Sequence, residues 1–173
     1  MIMSRNCKIA FFGESGVGKT SLINQLLYGK FDPDEKPTLQ PNCIPKSSEF
    51  YNRRITSYIC DSIGINKYRS TANLLYFDVD AVILVYDITN FESFVELENY
   101  WYNEIKQHGP KNIIFGVVAN KSDLQKNFEV DNEKGEEFAK KIRAPFFSTS
   151  AKENKGIETL YEEIGKKIVQ KYI

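Results

Sequence analysis

A chain of 173 residues with 42% apolar and 27% charged residues has the composition of a folded globular protein. It is of a size to enclose one core, so residues 1–173 are read as one domain. Lys plus Arg and Asp plus Glu number 23 each, which leaves no net field to steer the chain onto nucleic acid or anionic lipid and excludes partners selected by bulk charge.

The opening Met1-Ile2-Met3-Ser4-Arg5 lacks the charged start and long apolar stretch of a signal peptide, and it runs straight into an apolar strand pattern over 7–12. A Gly-rich loop and a first helix follow. An irregular stretch over 31–41 leads to a segment, 42–51, that is polar at alternate positions. This pattern predicts an antiparallel edge strand, paired with the run over 55–60 through a turn near Asn52-Arg53. A second irregular stretch covers 61–70. Further apolar, β-branched runs at 81–86, 113–119 and 145–148 read as buried strands. Residues 92–107 have helical spacing, with Phe94, Val95, Trp101 and Ile105 near one side; this stripe is read as core packing with no other role. The last helix repeats Ile157, Leu160, Tyr161, Ile164 and Ile168 at three and four residues. Strand and helix alternate, and parallel strands need helical crossovers. The predicted fold is therefore α/β: a doubly wound, mostly parallel six-stranded sheet with one antiparallel edge strand and helices on both faces.

No segment approaches the roughly 18 to 20 apolar residues of a membrane span. Cys7, Cys43 and Cys60 lie far apart, with neither zinc-type spacing nor an even disulfide framework, which fits a reducing, cytosolic setting without disulfides. His108, beside Gly109-Pro110, reads as a solvated helix end, and Lys166, Lys167 and Lys171 as the wet face of the last helix.

The sharpest motif is Gly13-Glu14-Ser15-Gly16-Val17-Gly18-Lys19-Thr20. It is a G-x-x-x-x-G-K-[ST] string between a strand and a helix, the context in which such a loop wraps a phosphate chain. Its backbone N–H groups and the positive end of the helix dipole point at the phosphates, Lys19 reaches the β- and γ-phosphates, and the Thr20 hydroxyl ligates magnesium. Ser15, Gly16, Val17, Gly18, Lys19, Thr20 and Ser21 are the phosphate-site candidates, with Lys19 as the catalytic one. Asn120-Lys121-Ser122-Asp123 leaves the strand over 113–119 and offers a carboxylate to the crevice. Asp123 would accept from guanine N1–H and its 2-amino group. Adenine has no donor at either position and would leave the carboxylate unpaired. Ser150-Ala151-Lys152 follows the next strand and would bring backbone donors toward guanine O6 and the Lys152 stem over the ring.

Taken in this order and spacing, the three motifs resemble the Ras superfamily over nearly the whole chain. Val85-Tyr86-Asp87-Ile88-Thr89-Asn90-Phe91-Glu92-Ser93-Phe94 resembles its Rab branch. The resemblance implies a P-loop GTPase with GTP or GDP and Mg2+ as cofactors. It implies that Phe31 stacks on guanine, that Thr38 completes magnesium coordination in the GTP state, and that Asp61 holds magnesium through a water. The N–H of Gly64 would meet the γ-phosphate. Departures are equally specific. Where the family reads Asp-Thr-Ala-Gly-Gln-Glu, this chain has Asp61-Ser62-Ile63-Gly64-Ile65-Asn66, so the glutamine that orients the attacking water is Ile65, which has no polar atom. Thr38-Leu39-Gln40-Pro41 and the bulky Ile63 are both expected to alter the surfaces that effectors read.

Three readings follow: a GTP-hydrolysing switch with a low intrinsic rate, a GTP-binding module with negligible hydrolysis, and an adenine-nucleotide kinase or ATPase, against which Asp123 argues. The resemblance implies effector, exchange-factor and GTPase-activating partners. It also implies a cytoplasmic monomer, peripheral on an internal membrane in a traffic role. The end, Gln170-Lys171-Tyr172-Ile173, carries no cysteine for prenylation, so a lipid anchor would need a tail beyond it.

Overall fold

The computed structural model describes residues 5–64 and 73–172. Its strands are β1 (Arg5–Phe12), β2 (Asn42–Phe50), β3 (Arg53–Asp61), β4 (Ala81–Asp87), β5 (Ile114–Asn120) and β6 (Phe146–Ser148). They form a six-stranded sheet in the order β2-β3-β1-β4-β5-β6. Every neighbouring pair is parallel except β2 with β3. The hairpin turn at Tyr51 and Asn52 has both residues at positive φ, 51° and 58°, the geometry that matches the strands' twist.

Alternation along β1 sorts the core into two layers. Cys7, Ile9 and Phe11 face one side, with α1 (Lys19–Tyr28) and α6 (Ile157–Tyr172) packed on them through Leu22, Ile23, Leu160 and Ile164. Ala10 and Phe12 face the other side. There they meet α2 (Asn73–Tyr76), α3 (Phe91–Glu96), α4 (Tyr102–His108) and α5 (Asn132–Lys141). β4 is buried at every residue, as a central strand covered on both faces must be. α3 runs into α4 through a π-helical turn, Leu97–Trp101, with right-handed helical dihedrals at both junctions. Trp101 is fully buried against Phe12 and Tyr100. Among the described residues, no helix is long and apolar enough to cross a membrane.

One expectation changes. The cysteines are not all apart: Cys43 and Cys60 are opposite one another in the β2–β3 register and form a disulfide, with S–S 2.01 Å and Cα–Cα 4.0 Å. The hairpin brings together two residues that are 17 apart in sequence, a proximity that spacing alone does not reveal. Cys7 instead lies 3.3 Å from the Ser57 hydroxyl. The second irregular stretch, including Ile65 and Asn66, falls mostly outside the described residues.

Gly135 in α5 lets that helix lie close on the sheet. A Cβ there would sit 2.3 Å from the Tyr86 hydroxyl and 2.5 Å from the Phe146 ring. The Tyr86 hydroxyl is itself buried without a hydrogen-bond partner among the described residues, and burial pushes its pKa up. Gly135→Ala is therefore expected to lower unfolding stability by about 1–3 kcal/mol, although alanine is otherwise better than glycine inside a helix by ~1 kcal/mol. Denaturant midpoints of the two chains check this, and a midpoint that rises would mean that α5 and Tyr86 repack freely.

Candidate nucleotide site

β1 and β4 are neighbours whose following connections run to opposite sides of the sheet, which opens a crevice at their carboxyl ends. The loop after β1 closes on α1 with Gly18 at φ 95°, and a Cβ at Gly18 would lie 2.3 Å from the Asn120 side-chain nitrogen. Only glycine suits both the dihedral and the contact. The first turn of α1 carries no acidic residue to oppose the dipole at its N-terminus. Lys19 is 5% exposed, and its ammonium donates to the carbonyls of Gly13 at 2.9 Å and Glu14 at 2.8 Å. Burial brings its pKa down to about 8, against the opposing pull of Asp61 and Glu14. A polyphosphate beside it would favour the charged form. The Ser15 N–H donates to the Gly64 carbonyl at 3.0 Å. Gly64 thus meets the loop through its carbonyl, whereas the resemblance assigned its N–H to the γ-phosphate. A Cβ at Gly64 would be 2.5 Å from the Lys19 nitrogen.

Three hard oxygen donors meet beside Lys19. The Thr20 and Thr38 hydroxyls lie 2.7 Å apart, and both donate to one carboxylate oxygen of Asp61, Oδ2, at 2.6 and 2.9 Å. The other oxygen, Oδ1, is buried with no hydrogen-bond partner among the described residues. Two hydroxyls and a carboxylate with acceptor capacity to spare fit a small, hard divalent cation such as Mg2+ that takes its remaining ligands from water and phosphate.

At the other end of the crevice, Asp123 projects from a 3-10 turn, Ser122–Asn127, that begins after Lys121 at φ 66°. The Ser150 hydroxyl donates to the Asp123 carboxylate at 2.6 Å and accepts from the Glu153 N–H at 3.0 Å, which fixes the carboxylate's direction. The Lys121 ammonium is 2.6 Å from the Asp87 carboxylate. Asp87 also accepts from the Thr89 N–H and hydroxyl. Asn120, 1% exposed, donates to the Val17 carbonyl at 2.9 Å and accepts from the Thr149 hydroxyl at 3.0 Å. It thereby connects the three loops. A single pocket of about 420 Å³ runs from the phosphate loop to Asp123. At one end its wall includes Ser15, Gly16, Gly18, Lys19, Thr20 and Ser21. Thr38 and Gly64 stand over that end, and Phe31, Asn120, Lys121, Asp123, Ala151 and Lys152 line the rest.

The sequence pattern described as the Ras family matches residues 8–170. The chain belongs to the Ras family. It is 36% identical to the Ras-related protein Rab-22A of Homo sapiens over 164 residues, 95% of this chain and 84% of that one. To the Ras-related protein Rab-21 of Bos taurus it is 34% identical over 163 residues, 94% of this chain and 73% of that one. It is a Rab-like small GTPase, with guanine nucleotide and Mg2+ as its cofactors.

In this Rab-like chain some candidates stand back from the pocket wall. Val17 is buried in the core and offers its carbonyl to Asn120. Ser150 acts on Asp123 from behind, and Asp61 reaches the pocket through Thr20 and Thr38. Ile63 does not alter an exposed surface as expected, because it is 4% exposed and points inward; Leu39, at 69%, is the exposed one. Trp101 has a role beyond core packing, since its indole donates to the Glu14 carboxylate at 2.8 Å and fixes its direction. Sequence reasoning also missed Asp87 and Thr149. Asp87 lies inside the string read as Rab-like and Thr149 just after β6, and their bonds to Lys121 and Asn120 become visible only across the sheet.

Ser150→Ala is expected to weaken GDP affinity about tenfold, ~1.4 kcal/mol, the scale of one hydrogen bond to a charged acceptor. Fluorescent-nucleotide titration reads this directly. Unchanged affinity would mean that Asp123 holds its direction unaided.

Proposed function

We propose that residues 1–173 work as one G domain that switches between GDP and GTP in membrane traffic. Intrinsic hydrolysis is slow, and partners supply fast exchange and turnover. The observation that carries this reading is the single crevice with Lys19 and Thr20 at one end and the Ser150-held carboxylate of Asp123 at the other. Lys19 and the N–H groups of the loop would neutralise the β- and γ-phosphates, and Asp123 would accept from the guanine edge. Phe31, 37% exposed at the pocket's rim, would cover the base. Thr20, Thr38 and Asp61 would hold Mg2+, which supplies charge neutralisation at the β- and γ-phosphates when bound. The chain acts as a monomer in the cytoplasm and is peripheral on an internal membrane.

Thr38 and Gly64 give the switch its sense. Both stand over the phosphate end, on the two segments that flank the β2–β3 hairpin, and they touch Thr20, Asp61 and Ser15. A γ-phosphate would exchange the Ser15-to-Gly64 and Lys19-to-carbonyl bonds for bonds to itself, and so reset both segments together.

The rate follows from Ile65, which has no group to orient a water. In single-turnover phosphate release, the native chain is expected to be nearly inert. Ile65→Gln is expected to raise the rate tenfold or more, about 1.4 kcal/mol of barrier. A native chain as fast as the variant would show that another residue orients the water and would remove the slow-hydrolysis part of the reading.

A further inference from the structure

The Cys43–Cys60 pair belongs to no nucleotide motif, yet it lies next to the magnesium-type cluster. In the antiparallel register Cys43 faces Cys60, and the next pair outward, Asn42 with Asp61, is the last of the ladder. Thr38 lies just upstream of β2, and Asp61 is the final residue of β3. The disulfide therefore joins the strand entered from the Thr38 loop to the strand that ends in the carboxylate on which Thr20 and Thr38 converge. Ladder ends open most readily, and a covalent tie one pair inboard suppresses that opening.

The two sulfurs differ in access. Cys60 is fully buried against the layer that holds Phe12, Leu75 and Trp101, whereas Cys43 is only partly buried at the margin of the same layer. In thiol–disulfide exchange the accessible sulfur is attacked and the other leaves. A cellular reducing compartment supplies the small thiol for this step, and a disulfide there acts as a sensor rather than a fixed brace.

We propose that Cys43 and Cys60 are a reversible cysteine-modification site, read by small thiols of the glutathione class, whose redox state sets how tightly the Thr38 loop and Asp61 hold magnesium and nucleotide. A thiolate attacks the Cys43 sulfur, the Cys43–Cys60 bond breaks, and Cys60 leaves as a thiolate that takes up a proton. The result is a mixed disulfide on Cys43. A second small thiolate attacks the small-thiol sulfur of that bond, and Cys43 is released and protonated. Two electrons pass in total: the chain gains two thiols and two small thiols leave as one disulfide. The reverse reaction uses a small-molecule disulfide as oxidant. With the tie broken, the first residues of β2 separate from the end of β3 more often, and bound GDP leaves sooner.

The test uses the 173-residue chain loaded with Mg2+ and fluorescent GDP. One portion is treated with oxidised glutathione and another with dithiothreitol, and Cys43→Ser is treated in the same two ways. Thiols are counted after denaturation, and GDP release is timed. The expected result is one thiol in the oxidised native chain and three in the reduced one. GDP release is about fivefold or more faster in the reduced form, and Cys43→Ser matches the reduced native chain under both treatments. Three thiols after oxidised glutathione would overturn the proposal. So would equal release from the two native forms, or a redox response that survives in Cys43→Ser. The inference rests on the nucleotide reading above, and a chain that retains GDP in neither state would overturn both, an outcome the thiol count keeps distinct from failure of the disulfide alone.

Discussion

The side chain of Asn120 is the point on which the site depends. Its amide donates to a carbonyl of the phosphate loop and accepts from a hydroxyl at the end of the neighbouring strand, in a place where water does not reach. A buried amide holds two loops at a defined separation because either bond left unmade costs the full desolvation of its group. The phosphate loop, the Asp123 turn and the Ser150 loop leave three different strands. Backbone bonds from the Ser122 N–H to the Thr149 carbonyl and from the Thr149 N–H to the Ala119 carbonyl already tie the last two together, and the Asn120 amide joins the phosphate loop to them. Gly18 completes the arrangement by leaving room for the amide above it.

Around that rigid floor, the parts that respond to nucleotide state are held by exchangeable bonds. Lys19 and the Ser15 N–H are satisfied by carbonyls of the loop and of Gly64, while Thr20 and Thr38 are satisfied by Asp61. Each is a group that a polyphosphate and its cation could claim, so the conformational change is a trade of partners in which no donor need remain unpaired. The carboxylate of Glu14 would oppose phosphate in such a loop, and the Trp101 indole fixes its direction. The π-helical turn brings Trp101 there. Turns of this kind are frequent at functional sites.

Much of this was legible in the sequence because the informative residues are local. The strand pattern fixed the sheet and its one antiparallel edge, and strand-loop-helix order gave weight to Gly13 through Thr20. What escaped depends on contacts across the sheet. α5 has Phe138 and Ala139 as its apolar side chains in a mostly charged stretch, so no apolar run marks it. Cys43 and Cys60 meet only through the register of a hairpin. Ile63 looks like a surface change when read along the chain, yet it turns inward. Asp87, Thr149 and Trp101 act on residues far away in sequence, and no spacing rule connects them to the motifs they support.

The measurement that bears most directly on the account is GDP affinity of the folded Asn120→Ala chain beside the native one, with circular dichroism and melting used to fix the folded fraction. Losing both bonds of the amide is expected to weaken binding about a hundredfold, ~3 kcal/mol. Both ends of the pocket then lose their spacing, while the secondary structure persists. An affinity within threefold of the native value would contradict the claim that this one buried side chain sets the site.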